Sequence, residues 1–319
     1  MTVDLRTPKN DASALSRPPY LAFAALTLLA LIWGYNWVNM KIGIRHSEPF
    51  TFAAMRGFLG AAVLFSFVVL LRKPLKPVAP LFTVALGLLQ STGFVGLIMW
   101  ALQSGSASRT TVLTYTMPFW VLLMAWPILG ERIKGLQWLA AGVALSGLIL
   151  ILRPWHFTGS LASSLMAVGG GLCWAASIVL YKVMRRRHRV ELLSFTAWQM
   201  LIGSVPLALI AVFTFKSPDW SGAFIWALAF NAIPGSAIAW LLWLFALHKL
   251  SAGITGISSL AIPVVGVLSA WIQLGERPND YEAAGMLVIM LALAILTTRG
   301  VVLSRPSRVS AGHPSPAQH

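Results

Sequence analysis

The sequence predicts an all-α membrane protein: ten transmembrane helices, arranged as two inverted five-helix repeats. Three observations lead there. Of 319 residues, 57% are hydrophobic and 10% charged, whereas a soluble domain carries about 25% charged residues. Apolar runs such as Leu21 to Met40 and Phe50 to Leu71 reach the roughly 20 residues that cross about 30 Å of hydrocarbon at 1.5 Å per residue. The chain also matches itself at an offset of 145 residues.

The elements follow in order. Residues 1–18 are polar and form an N-terminal tail. A first repeat over 19–152 holds spans starting near Leu21, Phe50, Ala79, Thr110 and Gly135, and a second over 153–299 holds spans starting near Ser160, Leu192, Ala223, Ala252 and Tyr281. Residues 300–319, rich in Ser, Pro and Ala, form a C-terminal tail. The spans read as helices because lipid offers the backbone no hydrogen-bond partner and the runs lack the alternation of a barrel. The first run is too long for a cleaved signal peptide and lacks a small-residue cleavage site, so it reads as an anchor.

With the N-terminus inside, cytoplasmic segments hold 17 Lys and Arg and external ones six. The positive-inside rule therefore places both termini in the cytoplasm of a multi-pass protein of the bacterial inner membrane. The net charge of +15 does not imply nucleic acid, because the cations fill gaps between apolar runs and form no face with stacking aromatics. The run Lys182, Arg185, Arg186, Arg187 and Arg189 fits the same rule, with recognition of lipid headgroups as the alternative.

At offset 145, Met99 to Arg132 aligns without a gap to Leu244 to Arg277, with 13 of 34 positions identical. Matches include Pro118/Pro263, Trp126/Trp271 and the block Leu129-Gly130-Glu131-Arg132 against Leu274-Gly275-Glu276-Arg277. At slightly smaller offsets Trp33 pairs with Trp174 and Phe52 with Phe195, which carries the duplication into the first two helices of each half. A five-helix unit is odd, so its second copy must enter the membrane from the opposite side.

These residues, with Trp33-Gly34, Arg56 and the stretch Trp100-Ala101-Leu102 to Ala107, resemble the EamA-type members of the drug/metabolite transporter superfamily over about residues 20 to 297. The resemblance implies ten helices, cytoplasmic termini and a cavity lined chiefly by the first four helices of each half. It implies a transporter of small metabolites, an exporter of amino acids or related compounds, working by alternating access. Two departures stand out: Gln199 occupies the position of Arg56 in the second half, and Trp33-Gly34 becomes Trp174-Ala175.

Candidate solute-binding residues come from helical spacing. Trp33, Asn36, Trp37 and Met40 share one side of the first span, and Trp174, Ser177, Ile178 and Tyr181 repeat that stripe in the sixth. Each stripe serves either as a solute-facing wall or as interhelical packing, since Asn in hydrocarbon needs a partner. Thr111, Thr114, Tyr115 and Pro118, matched by Gly256, Ser259, Leu260 and Pro263, line either a cavity or the carbonyls freed by proline. Gln90, Gln199 and Asn231 are further polar candidates. Arg56 lies about 10 Å into the second span; it either clamps a carboxylate or phosphate, snorkels outward, or bonds backbone carbonyls. The repeated Glu-Arg pairs at 131–132 and 276–277 read as helix-end caps or bridges to a neighbouring loop.

The nine acidic residues all fall in tails, loops or span ends. Proton or sodium coupling commonly uses an intramembrane carboxylate, so facilitated diffusion or exchange is the expected mode. The histidines lack metal-ligand spacing, Cys173 stands alone, and Gly169-Gly170-Gly171 lies within a span, so no metal, cofactor or catalytic cluster is expected. The expected partners are a small-molecule solute and membrane lipids. A channel or a non-transporting receptor is the alternative to a carrier.

Overall fold

The computed structural model describes residues 20–104, 107–131, 135–152, 161–274 and 280–303. Every regular element among them is helical. The first half comprises α1 (Tyr20–His46), α2 (Pro49–Leu70), α3 (Pro80–Gly87), the π-helix π1 (Leu88–Val95), α4 (Gly96–Ser104), α5 (Ala107–Thr114), α6 (Met117–Leu129) and α7 (Leu136–Leu152). The second comprises α8 (Leu161–Arg187), α9 (Leu192–Thr214), α10 (Gly222–Ala232), the π-helix π2 (Ile233–Ile238), α11 (Ala239–Lys249), α12 (Ala252–Ser258), α13 (Ala261–Leu274) and α14 (Asp280–Leu303). Helices begin close to each expected start, and α14 continues to Leu303, into the stretch read as tail.

Among the described residues, seven helices are long and apolar enough to cross a membrane: Tyr20–His46, Pro49–Leu70, Pro80–Gln103, Leu161–Arg187, Leu192–Thr214, Gly222–Lys249 and Ala252–Gln273. Shorter apolar helices, Met117–Leu129, Trp138–Leu150 and Ala283–Ala292, accompany them. Their outward surface is apolar, with Leu81, Val212, Phe213, Ile272 and Leu287 among many large exposed side chains. That exterior suits lipid and would be an aggregation liability in water. The chain is a multi-pass membrane protein.

The spans are less regular than the apolar runs suggest, and the irregularities come in pairs. Leu88 and Ile233, the first residues of π1 and π2, are 145 residues apart, so each half carries a π segment at the same place. The helix through 107–129 breaks at Tyr115 and Thr116, and that through 252–274 breaks at Ser259 and Leu260. Pro118 and Pro263 cause both breaks, because neither has an N–H to offer the carbonyl of Thr114 or Ser259 four residues back. Pro234 lies in π2, whereas Pro206 sits within the continuous helix α9 and makes no break.

Packing is also paired between halves. Helices α2 and α9 occupy equivalent positions and pack on each other, as do α7 and α14. The contact of α1 with α13 has its counterpart in α8 with α6, and that of α1 with α10 and α11 in α8 with α3 and α4. Small residues allow this closeness, as usual between membrane helices. At Gly203 an added Cβ would stand 2.3 Å from the Gly87 carbonyl oxygen, so the backbones of α9 and α3 touch there. Within Gly169-Gly170-Gly171, a Cβ on Gly171 would stand 2.7 Å from the Thr114 carbonyl oxygen, consistent with the close helix packing expected of that triplet.

Acidic residues punctuate the helices. Glu48 accepts from the Thr51 N–H at 2.8 Å and Glu191 from the Ser194 N–H at 2.7 Å, so α2 and its counterpart α9 carry the same N-cap. At the end of α6, Gly130 adopts φ +68°, a conformation costly for residues with a Cβ. This turn directs Glu131 toward the other half, where its Oε2 accepts from the Ala252 N–H at 2.9 Å and caps α12. The first Leu-Gly-Glu-Arg block is thus a capping device between halves; Arg132, Glu276 and Arg277 lie outside the described residues.

Candidate functional site

The two halves meet on a cluster of tryptophans. The Trp33 ring packs edge-on against Trp174 at 5.4 Å and Trp240 at 4.7 Å, and lies 5.8 Å from Trp243. Phe94 lies against Trp174 at 4.9 Å with the rings tilted by 35°. Such offset and edge contacts suit the ring quadrupoles. Trp33 and Trp174 are equivalent by the internal repeat, so the cluster straddles the junction of the halves.

Each π segment packs against the first helix of the opposite half, π2 on α1 and π1 on α8. A π turn leaves backbone carbonyls poorly paired, and Trp33 Nε1 donates to the carbonyl of Gly235 in π2 at 2.9 Å. Asn36, one turn on, lies against the same glycine, whose added Cβ would stand 2.4 Å from Asn36 Oδ1. On the other side Ser177 of α8 donates to Gln90 Oε1 of π1 at 3.3 Å. Residue 177 corresponds to 36 and residue 90 to 235, so one contact is built twice from different chemistry.

A cavity of about 40 Å³ lies beside this cluster, lined by Trp33, Asn36, Trp37, Met40, Arg56, Phe94, Val95, Ile98, Tyr115, Trp174 and Trp240. The whole first-span stripe faces it. It has room for about one water molecule, so the site is contracted in this state. A larger groove of about 670 Å³ between the ends of α2 and α9 is lined almost wholly by apolar side chains and opens sideways to the exterior, which marks it as lipid-facing surface.

Arg56 is 7% exposed, and its Nη1 donates to Asn231 Oδ1 at 3.1 Å. It therefore does not snorkel outward, and among the described residues it bonds no backbone carbonyl. Asn231 in turn donates its Nδ2 to the Ala227 carbonyl at 2.9 Å. Two cavity-lining polar atoms, Asn36 Oδ1 and Trp174 Nε1, are buried without a hydrogen-bond partner among the described residues.

Seven of the residues predicted from sequence line the cavity: Trp33, Asn36, Trp37, Met40, Arg56, Tyr115 and Trp174. Asn231, Gln90 and Ser177 form its supporting bonds. Thr114 and Ser259 are buried against the bundle and donate to the carbonyls of Thr110 at 2.7 Å and Gly256 at 2.6 Å, in the preceding turn of their own helices and not to the carbonyls that the prolines leave unpaired. Tyr181 packs on Phe195 at 5.6 Å away from the cavity, and Gln199 is buried with an unpaired Oε1. Phe94, Val95, Ile98 and Trp240 were not predicted. The repeat offset contains a signal for two of them, since Val95 and Trp240 are equivalent positions.

Both ends of the bundle are tied across the halves. At one, Lys182 donates to the Leu250 carbonyl, Arg186 to that of Leu129, and Arg185 to that of His248 at 2.9 Å. These cations of the basic run thus neutralise the negative ends of α6 and α11. At the other, His46 at the end of α1 meets Asp219 at 2.8 Å, and the Asp219 N–H donates to the His46 carbonyl at 2.7 Å.

Comparison with known proteins gives one answer. The chain is 27% identical over 277 residues to the transporter YoaV of Bacillus subtilis, covering 84% of this chain and 94% of that protein. It is 25% identical over 299 residues to a probable amino-acid metabolite efflux pump of Salmonella typhimurium, covering 90% and 98%. To the inner membrane transporter YedA of Escherichia coli K12 it is 25% identical over 284 residues, covering 86% and 90%. A protein of known crystal structure shares the fold with a TM-score of 0.74 at 20% identity, over 88% of this chain and 98% of that one. The model of the EamA-like transporter family matches twice, over residues 21–153 and 161–298. With both halves matched, the chain belongs to the EamA-like transporter family.

Proposed function

We propose that this transporter carries a small metabolite, an amino acid or related compound, out of the cell across a bacterial inner membrane by alternating access. The observation that carries this reading is the central cavity: it is polar at Arg56 and Asn36, walled by aromatic rings, and assembled from both halves at the level of the paired π segments. In this reading the chain crosses the membrane ten times as two oppositely oriented repeats, residues 19–152 and 153–299, with tails 1–18 and 300–319 in the cytoplasm. The broken helices α5/α6 and α12/α13 would count as the fourth and ninth crossings. The pairing of α2 with α9 and of α7 with α14 is what a twofold relation between halves requires.

Trp33, Asn36, Trp37, Arg56, Tyr115 and Trp174 contact the solute directly. Gln90, Thr114, Ser177, Tyr181, Gln199, Asn231 and Ser259 hold the walls or meet solute once the cavity widens. A solute needs far more room than about one water, so the described state is a closed one, tied at the Lys182 end and the His46 end. Opening one end while the other stays tied gives alternating access. The mode is exchange or facilitated diffusion, since the carboxylates Glu48, Glu131 and Glu191 are committed to helix caps.

The test is an untargeted metabolite comparison of cells with and without the gene, followed by uptake of the leading compounds into proteoliposomes. A compound that accumulates inside cells lacking the gene and is taken up by the purified protein supports the reading. Equal metabolite profiles with no uptake of any leading compound would reject it.

A further inference from the structure

We propose that Arg56 is the receptor for a carboxylate on the solute, and that the cargo carries one such group. This rests on the carrier reading and on the aromatic cavity as its binding site. Arg56 is buried in the cavity wall, and a guanidinium offers five N–H donors. One goes to a neutral amide oxygen, Asn231 Oδ1, at 3.1 Å. That amide spends its own N–H on the Ala227 carbonyl and supplies no charge.

No carboxylate among the described residues balances the guanidinium. Glu48, Glu131 and Glu191 cap helix ends, Asp219 sits on His46, and Asp280 opens α14. A buried cation left without a counter-charge is costly. The fold does not require it: at the equivalent position of the other half stands a neutral residue, Gln199, buried to a similar degree. The charge is kept on one side only, the side that faces the cavity.

Its neighbours are arranged for the same ligand. Trp174 Nε1 is a second donor in the cavity wall with no acceptor, and Asn36 Oδ1 is an acceptor with no donor. A carboxylate at Arg56 takes two parallel N–H bonds, and the orphan oxygen of Asn36 is free for a donor elsewhere on the solute, such as an ammonium. A phosphate dianion fits less well. Among the described residues, Arg56 is the one charged residue lining the cavity, and a second negative charge would remain uncompensated at low dielectric. On arrival, the carboxylate replaces the neutral Asn231 oxygen, exchanging a neutral acceptor for a stronger, charged one.

The test uses the full chain in detergent, with tryptophan fluorescence reporting binding. The probes are the twenty protein amino acids, the methyl ester and amide of each acid that binds, and phosphoserine. At least one amino acid should bind saturably, and its ester and amide should bind about 10- to 100-fold more weakly. Arg56→Gln should erase that preference. Asn231→Asp, which gives Arg56 a resident carboxylate, should raise thermal stability while weakening acid binding by a similar factor, and it carries the test if Arg56→Gln does not fold.

The proposal is overturned if no amino acid binds, if ester and acid bind alike, if phosphoserine binds more tightly than serine, or if either variant keeps the acid preference. Counterflow in proteoliposomes separates the two readings. Acid and ester exchanged equally well would leave a carrier without this receptor; acid-selective binding without exchange would leave the receptor without a carrier.

Discussion

Gly203→Ala tests the helix contact on which the first-half π segment rests. The added methyl would stand 2.3 Å from the Gly87 carbonyl oxygen and 2.4 Å from Ser91 Cβ. Ordinary contacts lie near 3.5 Å, so α3 and α9 must part by about 1 Å. The Gly87 obstacle is backbone and has no rotamer by which to escape. The same movement stretches the bond from Thr92 Oγ1 to the Gly203 carbonyl, now 2.8 Å. Overpacking costs about 1–3 kcal/mol and the strained hydrogen bond about 1 kcal/mol, while replacing a helical glycine returns up to about 1 kcal/mol. The expected net loss is about 1–3 kcal/mol. Gly142→Ala is the matched control: it lies within α7 with nothing within 4 Å of the added Cβ, so the gain of up to about 1 kcal/mol stands alone. Thermal unfolding in detergent, followed by size-exclusion chromatography, should show Gly203→Ala below the parent and Gly142→Ala at or above it. Equal destabilisation by both, or none by Gly203→Ala, would refute the argument from backbone contact.

Glu131→Ala should cost about 0.5–2 kcal/mol by uncapping Ala252, and the same melting assay should show Glu131→Asp, which keeps the carboxylate, to be milder. Trp33→Phe keeps an aromatic ring but strands the Gly235 carbonyl, so a loss of about 1–3 kcal/mol is expected; a variant as stable as the parent would mean that π2 does not depend on this bond. Asp219→Asn breaks an ion pair whose side chains are 28% and 66% exposed, so the change in melting behaviour should stay under about 1 kcal/mol. Arg56→Lys keeps the charge but loses the planar fork, and titration with an acid that binds the parent should show intermediate affinity between parent and Arg56→Gln.

Helix positions were legible because lipid forces every span into an apolar run of fixed length, and the first-span stripe was legible because four residues at helical spacing share a face. The breaks at Pro118 and Pro263 could be read from the missing N–H. The segment π1 could not: it contains no proline, and its extra residue per turn is imposed by packing against α8 and α9, which involves residues distant in sequence. The same limit hid Phe94 and Ile98, whose cavity-facing direction depends on that turn. The Arg56 to Asn231 bond joins residues 175 apart, so each could be singled out as a costly polar group while the pairing stayed unseen. Thr114 and Ser259 show the converse: a hydroxyl beside a proline reads equally as cavity wall or backbone repair, whereas in this state both are spent on carbonyls of the preceding turn, Thr110 and Gly256.

Counterflow is the most direct test of a carrier built from two halves around one site. Proteoliposomes holding the purified protein are loaded with the leading metabolite and diluted into a trace of labelled compound. Internal compound should accelerate labelled uptake and drive a transient overshoot, lost when the cavity is blocked by Asn36→Trp. Uptake at the same rate with empty and loaded vesicles would show a pore or a non-transporting protein instead.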